Sequence, residues 1–219
     1  MRIFPPARAV LFDWNGTLLA DLSAAYRAWM ACFALVGRPR ITLAEFRCTY
    51  ALPWQAFYRR HGVSARQLRR EGKRLADRHR RTYGRPPFSP GARQTLRALH
   101  RRGITLGILS DEPRHIIVRR LKTSGLRPLF SFIGTSEQYP PKPSPAGVRV
   151  FVARARCVPR ACLLVGDLRD DLRAGKAAKV RTVAYLRGWQ TPALLRKMKP
   201  DYAIKNLNEI LRLPQLQKP

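Results

Sequence analysis

Ala9-Val-Leu-Phe-Asp-Trp-Asn-Gly-Thr-Leu-Leu19 is the stretch that decides the fold. It starts with a short, unbroken apolar run of strand length. A strand that shows no apolar/polar alternation is one covered on both faces, as in a parallel sheet flanked by helices. The run stops at Asp13, so a carboxylate stands at the strand's carboxyl end. Asn15-Gly16 then turns the chain. Taken alone, Asp13 could merely cap that turn, since Asn-Gly is also a hairpin signal.

Working outward, similar apolar runs recur at Thr105–Ser110, at 130–134, at 162–167 and at 182–186, with a short last run at Tyr202–Ile204. Helical patterns separate them near 92–102, 113–124, 145–155 and 172–178. Strands joined by helical stretches of this length imply right-handed crossovers and a parallel sheet with helices on both faces. The alternation is interrupted once. From about Asp21 to Phe88 the chain reads as helical throughout, with Ala24, Ala25, Trp29, Phe33 and Val36 at helical spacing and a capping-box signature in Thr42-Leu-Ala-Glu45. The breaker cluster Pro86-Pro-Phe-Ser-Pro-Gly91 closes this block. The expected fold class is α/β: a Rossmann-like three-layer core with a mainly parallel sheet, built from residues 1–20 and 88–219. Residues 21–87 form an inserted α-helical cap.

Bulk composition narrows the function classes. The chain has 219 residues, 45% of them apolar, which fits a globular protein and excludes disorder. No apolar run is long enough to span a bilayer, so no membrane partner is expected. The chain runs almost at once from Met1 into the first strand; the expectation is that no secretory signal precedes it and that the protein is cytoplasmic. Cys32, Cys48, Cys157 and Cys162 form no CxxC pair and are read as small buried apolar residues in a reducing compartment. The charge is unusual: 43 Lys and Arg against 13 Asp and Glu, a formal net charge of +30. Such an excess attracts polyanions, so nucleic acid, a ribonucleoprotein or a small anionic substrate are all candidate partners. Much of it falls at Arg66, Arg70, Lys73, Arg74, Arg78 and Arg81, near one face of a helix. That stripe could grip a nucleic-acid backbone, steer anionic substrates, or simply be solvated. Trp14, Trp29, Trp54 and Phe57 are read mostly as core or cap-interface residues.

In an open parallel sheet the site lies beyond the carboxyl ends of the strands. Those ends supply Asp13, Ser110, the loop carrying Lys142, and Asp167: a nucleophile candidate, a hydroxyl, a cation and a second carboxylate. A carboxylate attacking a phosphate needs both negative charges neutralised, and a divalent metal held by two carboxylates beside a lysine does this.

These segments resemble the haloacid dehalogenase superfamily, in its phosphoglycolate-phosphatase-like branch with an α-helical cap. The resemblance rests on Leu11-Phe-Asp-Trp-Asn-Gly-Thr-Leu-Leu19, Ile108-Leu-Ser110, Lys142-Pro-Ser-Pro145 and Val165-Gly-Asp-Leu-Arg-Asp-Asp171, in that order, with a helical insertion between the first two. It implies a Mg²⁺-dependent hydrolase of small phosphate monoesters. Asp13 would form an aspartyl-phosphate. Ser110, with Thr17, would bind the phosphoryl group, and Lys142 would balance charge. Asp167 and Asp171 would join Asp13 and the backbone carbonyl of Asn15 around the metal, with Asp170 the poorer match.

One position departs from that pattern. The family's phosphatases usually carry a second aspartate two residues after the nucleophile, which protonates the leaving group and later activates water. Here it is Asn15, which cannot exchange a proton, and general acid–base catalysis typically contributes about 10²–10⁴ in rate. The expectation is a phosphatase, slowed at Asn15. The alternatives are a basic nucleic-acid or ribonucleoprotein-binding protein on the same scaffold, and a phosphotransferase.

Overall fold

The structure is a computed structural model and describes residues 5–216. Its centre is a six-stranded sheet: β1 (Ala9–Phe12), β2 (Thr105–Ser110), β3 (Phe130–Thr135), β4 (Cys162–Gly166), β5 (Arg181–Tyr185) and β6 (Tyr202–Ile204). The strands lie in the order β3-β2-β1-β4-β5-β6, every pair parallel. Each falls within one residue of where the apolar runs place it. The sheet reverses its winding direction at β1, which puts the decisive segment at the centre.

Successive residues of β1 serve opposite faces, as the two-residue period of a strand requires. Val10 and Phe12 join the core that holds Leu96 and Leu99 of α5 (Ala92–Arg101) and Ile117 and Leu121 of α6 (Arg114–Thr123). Ala9 and Leu11 join the core that holds Val148 and Phe151 of α7 (Ala146–Arg154) and Ala174 and Ala178 at α8 (Arg169–Ala177). This is the expected three-layer arrangement. α8 begins three residues earlier than the periodicity suggests, so Asp170 and Asp171 stand in its first turn, where carboxylates suit the positive end of the helix dipole. A short helix α9 (Pro192–Lys197) was not legible in the pattern.

The segment after β1 is helical but not continuous. It divides into α1 (Leu22–Leu35), α2 (Leu43–Thr49), α3 (Trp54–Arg60) and α4 (Ala65–Tyr83). Local chemistry explains the breaks. Gly37 and Gly62 take φ of +68° and +79° after helix ends, a region that favours glycine. The Thr42 hydroxyl accepts from Glu45 N at 3.0 Å and the Ser64 hydroxyl from Gln67 N at 3.1 Å, each starting a new helix. These helices make an apolar core of their own around Trp29, Phe33, Phe46, Phe57 and Tyr58, and Leu168 and Trp189 of the main body complete it. The α-helical cap is thus built on, and anchored to, the loops that follow β4 and β5. Leu52 N donates to Asp170 Oδ2 at 3.0 Å, and Gln190 Nε2 donates to Tyr50 O at 2.8 Å.

The cysteine expectation needs one correction. Cys32 and Cys162 are buried and Cys157 is half-buried, but Cys48 is exposed; all four are free thiols. Cys48 follows Arg47, whose guanidinium reaches back to the carbonyls of Trp189 and Gln190. Adjacent helix positions point in different directions, so the face that meets the main body is taken by Arg47 and not by the thiol. Among the described residues, no helix is long and apolar enough to cross a membrane.

Candidate active site

Strand register assembles the site. Phe12 pairs with Ile108 on one side and Val165 on the other, so the residues just beyond all three strands emerge at one edge. Asp13 N continues the ladder by donating to Val165 O at 2.9 Å. Lys142 comes in from the loop after β3. Its ammonium donates to Asp13 Oδ1, to Asp171 Oδ1 at 2.6 Å and to Leu109 O at 3.3 Å, so all three of its hydrogens are engaged. Asp13, Lys142, Asp167 and Asp171 are all buried.

The remaining carboxylate oxygens are largely assigned. Asp167 accepts from the Thr17 hydroxyl at 2.6 Å and from Trp189 N at 2.7 Å. Asp171 Oδ2 accepts from Leu168 N at 2.9 Å. Asp13 Oδ2 is buried and has no partner. Glycines make the close packing feasible. A Cβ on Gly16 would lie 2.2 Å from Asp167 Oδ2, one on Gly188 would lie 2.1 Å from Asp167 Cβ, and one on Gly166 would lie 2.3 Å from Asp171 Cγ.

Electrostatics follow from burial and proximity. Burial pushes the Asp13 carboxyl up, Lys142 opposes this, and the result is about 7. Burial, then the charges of Asp13 and Asp171, also hold Asp167 well above the carboxylate range. Burial pushes the Lys142 ammonium down, but Asp13 and Asp171 outweigh it and keep it firmly charged. One oxygen each of Asp13, Asp167 and Asp171 lie within 4.8 Å of one another. With all three carboxyls ionised, they would exceed the one ammonium by two negative charges, and a buried oxygen lacks a partner. All-oxygen donors with that charge deficit fit a hard divalent cation.

Asn15 occupies a cage of acceptors. Its Nδ2 lies 2.7 Å from Tyr83 Oη, 3.2 Å from Asp21 Oδ2 and 3.5 Å from Glu112 Oε2. Tyr83 in turn donates to Asp21 Oδ2, and the Trp189 indole donates to Asp21 Oδ1 at 2.6 Å. Burial pushes Asp21 up and raises Glu112 to about 7. Beside this cage a cavity of about 410 Å³ opens between cap and sheet. Its wall includes Trp14, Trp29, Tyr50, Trp54, Tyr58 and Trp189.

The strand-end reasoning therefore brings together Asp13, Lys142, Asp167 and Asp171. Ser110 is buried at the same edge, with its Oγ accepting from Glu112 N at 3.0 Å. Thr17 is also there, its hydroxyl committed to Asp167. Asp170 points instead to Leu52 and Arg173, tying the cap to the core. Sequence reasoning missed Asp21, Tyr83, Glu112, Gly188 and Trp189. Glu112, two residues past the end of β2, was open to the strand-end rule. The others are joined only by tertiary folding.

Residues 7–179 match the profile of the haloacid dehalogenase-like hydrolases. The chain belongs to this hydrolase family. It is 27% identical to phosphoglycolate phosphatase 1 of Pseudomonas aeruginosa, over 93% of this chain and 78% of the relative. Against phosphoglycolate phosphatase of Escherichia coli K12 it is also 27% identical, covering 96% and 94%. Pyrophosphatase PpaX of Oceanobacillus iheyensis is 31% identical over 57% of this chain and 58% of its own. Among solved structures, a haloacid dehalogenase-like family protein from Streptococcus pneumoniae superposes with a TM-score of 0.78 at 19% identity, covering 94% of this chain and 97% of that one. A subfamily IA hydrolase from Geobacter sulfurreducens gives 0.68 at 23%, covering 94% and 98%. At these identities the structures attest the fold, cap included.

Proposed function

We propose that this hydrolase is a Mg²⁺-dependent phosphatase acting on a small phosphate monoester through an aspartyl-phosphate on Asp13. The observation that carries the reading is the convergence of Lys142 and three carboxylates on one sheet edge, with Asp13 Oδ2 left buried and unpartnered. The names of the relatives, phosphatases and a pyrophosphatase, support it. The working division is a core of residues 1–20 and 88–219 under a cap of residues 21–87.

In this reading Asp13 Oδ2 attacks phosphorus while Lys142 holds Oδ1, orienting the carboxylate and offsetting its charge. Ser110, with Thr17, lies where the phosphoryl oxygens would be held. Asp13, Asp167, Asp171 and the backbone carbonyl of Asn15 would hold Mg²⁺, which when bound supplies charge neutralisation for the phosphate and the attacking carboxylate. The anchored cap excludes water from the first transfer. Asn15 supplies no proton, so turnover is slower by part of the roughly 10²–10⁴ that a positioned acid gives. The deciding experiment is Mg²⁺-dependent release of phosphate from a panel of phosphomonoesters by the wild type and by Asp13→Asn, with unfolding curves for both. Full turnover by a well-folded Asp13→Asn protein would defeat the reading.

A second property is supported by α4. Arg66, Arg69, Arg70, Lys73, Arg74, Arg78, Arg80 and Arg81 are all exposed on this helix. Among the described residues its ion pairs are confined to Arg70 and Arg74 with Glu71, and Arg80 with Asp77. We read this face as a docking surface for a nucleic-acid backbone or ribonucleoprotein, with salt-dependent affinity.

A further inference from the structure

The chain contains four tryptophans, Trp14, Trp29, Trp54 and Trp189, and all four line the cavity beside the nucleophile loop. They come from four separate segments: the loop after β1, α1, the start of α3, and the loop after β5. Tyr50 and Tyr58 add to the same wall. Four such residues meeting in one place from unrelated positions make a surface suited to a flat, aromatic body, because rings stack and pack edge to face on one another. Two residues of that wall also carry a buried polar atom with no hydrogen-bond partner. Trp29 is only 6% exposed, and neither its indole Nε1 nor His79 Nε2 has a hydrogen-bond partner. Burial holds His79 down to about 4, so the imidazole is a neutral group at pH 7.

The acidic end of the cavity argues against a small hydroxy-acid alcohol. Asp111 and Glu112 line it, and Glu112 and Asp21 both contact Asn15. The carboxylate of phosphoglycolate is one methylene from its ester oxygen and would have to sit against these groups. Lys142, the cation at the sheet edge, is spent on Asp13 and Asp171. Of the three arginines of the wall, Arg80 and Arg85 are exposed at its rim, and the half-buried Arg120 donates through Nη2 to Pro86 O at 2.6 Å.

Asn15 supplies an independent constraint. An aliphatic alkoxide needs a proton as it leaves, and an amide has none to give. A phenoxide does not: the phenol of tyrosine ionises near pH 10, far below water, the nearer guide to an aliphatic alcohol. Wall and leaving group thus select the same chemistry.

The geometry points to an aryl phosphate monoester, in which the ester oxygen is bonded directly to an aromatic ring lodged among the four tryptophans, as the substrate class of this site. The inference rests on the phosphatase reading and sharpens it. Asp13 Oδ2 forms a bond to phosphorus, the bond from phosphorus to the aryl oxygen breaks, and the electron pair departs on the phenoxide. Water then attacks phosphorus, the bond to Asp13 breaks, and both protons of the water remain with the released dihydrogen phosphate.

The test uses the full chain in Mg²⁺ with 2-naphthyl phosphate, 2-naphthylmethyl phosphate and phosphoglycolate. The first two share the aromatic body and differ in whether the leaving oxygen is phenolic. The expected order of kcat/KM is naphthyl above naphthylmethyl by at least tenfold, with phosphoglycolate lowest. Asn15→Asp is expected to narrow the first gap. Trp54→Ala, at a rim position 36% exposed, is expected to lower kcat/KM for the naphthyl ester by about fivefold, the low end for one stacking aromatic. Equal rates for naphthyl and naphthylmethyl esters would show that another group delivers a proton, and would overturn the aryl assignment. Preference for phosphoglycolate would overturn it too, and both results would leave the phosphatase reading standing. Failure to hydrolyse any of the three would defeat both together.

Discussion

Asn15→Asp puts a carboxylate into the cage that now holds an amide. The amide nitrogen lies 3.2 Å from Asp21 Oδ2 and 3.5 Å from Glu112 Oε2. Two like charges at about 4 Å and an effective dielectric near 20 repel by about 4 kcal/mol. With two neighbours, taking up a proton is the cheaper outcome. Protonating a carboxyl of ordinary pKa, about 3.9, at pH 7 costs about 4 kcal/mol at 1.36 kcal/mol per unit, which sets the ceiling. Sharing the proton with Asp21 or Glu112, both already raised, brings the expected deficit to about 2–4 kcal/mol. The sign is fixed by linkage. A carboxyl whose folded value is raised is least costly below its unfolded value, and stability is lost as pH rises through the folded one. The assay is urea unfolding of wild type and Asn15→Asp in EDTA at pH 4.5 and pH 8, with Asn15→Ala as control. The deficit of Asn15→Asp should be small at pH 4.5 and reach about 2–4 kcal/mol at pH 8, while that of Asn15→Ala, which only loses the amide's hydrogen bonds to Asp21 and Glu112, should rise by less. Equal deficits for Asn15→Asp at both pH values would refute the acceptor cage.

Lys142→Met leaves three buried carboxylates without their cation. Removing one partner of a buried pair costs about 3–5 kcal/mol, so the variant should unfold at much lower urea in EDTA and recover part of the loss in Mg²⁺. Gly188→Ala would bring a methyl to 2.1 Å from Asp167 Cβ. Asp167 must move, so Mg²⁺ affinity measured by calorimetry should fall at least tenfold; unchanged affinity would remove Asp167 from the metal set. For α4, replacing Arg66, Arg70, Arg78 and Arg81 with Gln should flatten the salt dependence of single-stranded RNA binding by about 0.7 in log–log slope for each phosphate no longer neutralised. An unchanged slope would exclude this face.

The sheet, its parallel sense and its carboxyl-end carboxylates were legible because each depends on local pattern. A doubly covered strand is a run of apolar residues, and its end is where the run stops, as at Asp13. Lys142 was legible only through its flanking prolines and its order after β3. What was hidden depends on three-dimensional closure. Nothing near Tyr83 or Trp189 signals that both meet Asp21, since 62 and 168 residues separate them from it. The helical block hid its breaks for a different reason. Over residues 21–88 apolar spacing stays helical through short loops, and the breaks are marked by single residues, Gly37, Pro53 and Gly62 with the caps Thr42 and Ser64.

The Asn15 network also explains why the amide is more than a missing acid. Asp21 opens the cap at the start of α1, Tyr83 ends the cap's last helix, and Trp189 belongs to the loop that holds Asp167. All three meet at one carboxylate, and Asn15 completes the group with donated hydrogens. A carboxylate at position 15 could protonate a leaving group but would repel Asp21 and Glu112. An amide binds cap and nucleophile loop together and gives up the proton. That exchange would suit the proposed substrate, whose ring would meet tryptophans of both cap and core and whose leaving group would depart unprotonated. On the aryl-phosphate proposal, the aromatic wall that would lodge the ring and the amide that supplies no proton are parts of one arrangement, and a substrate that satisfies only one of them should be a poor one.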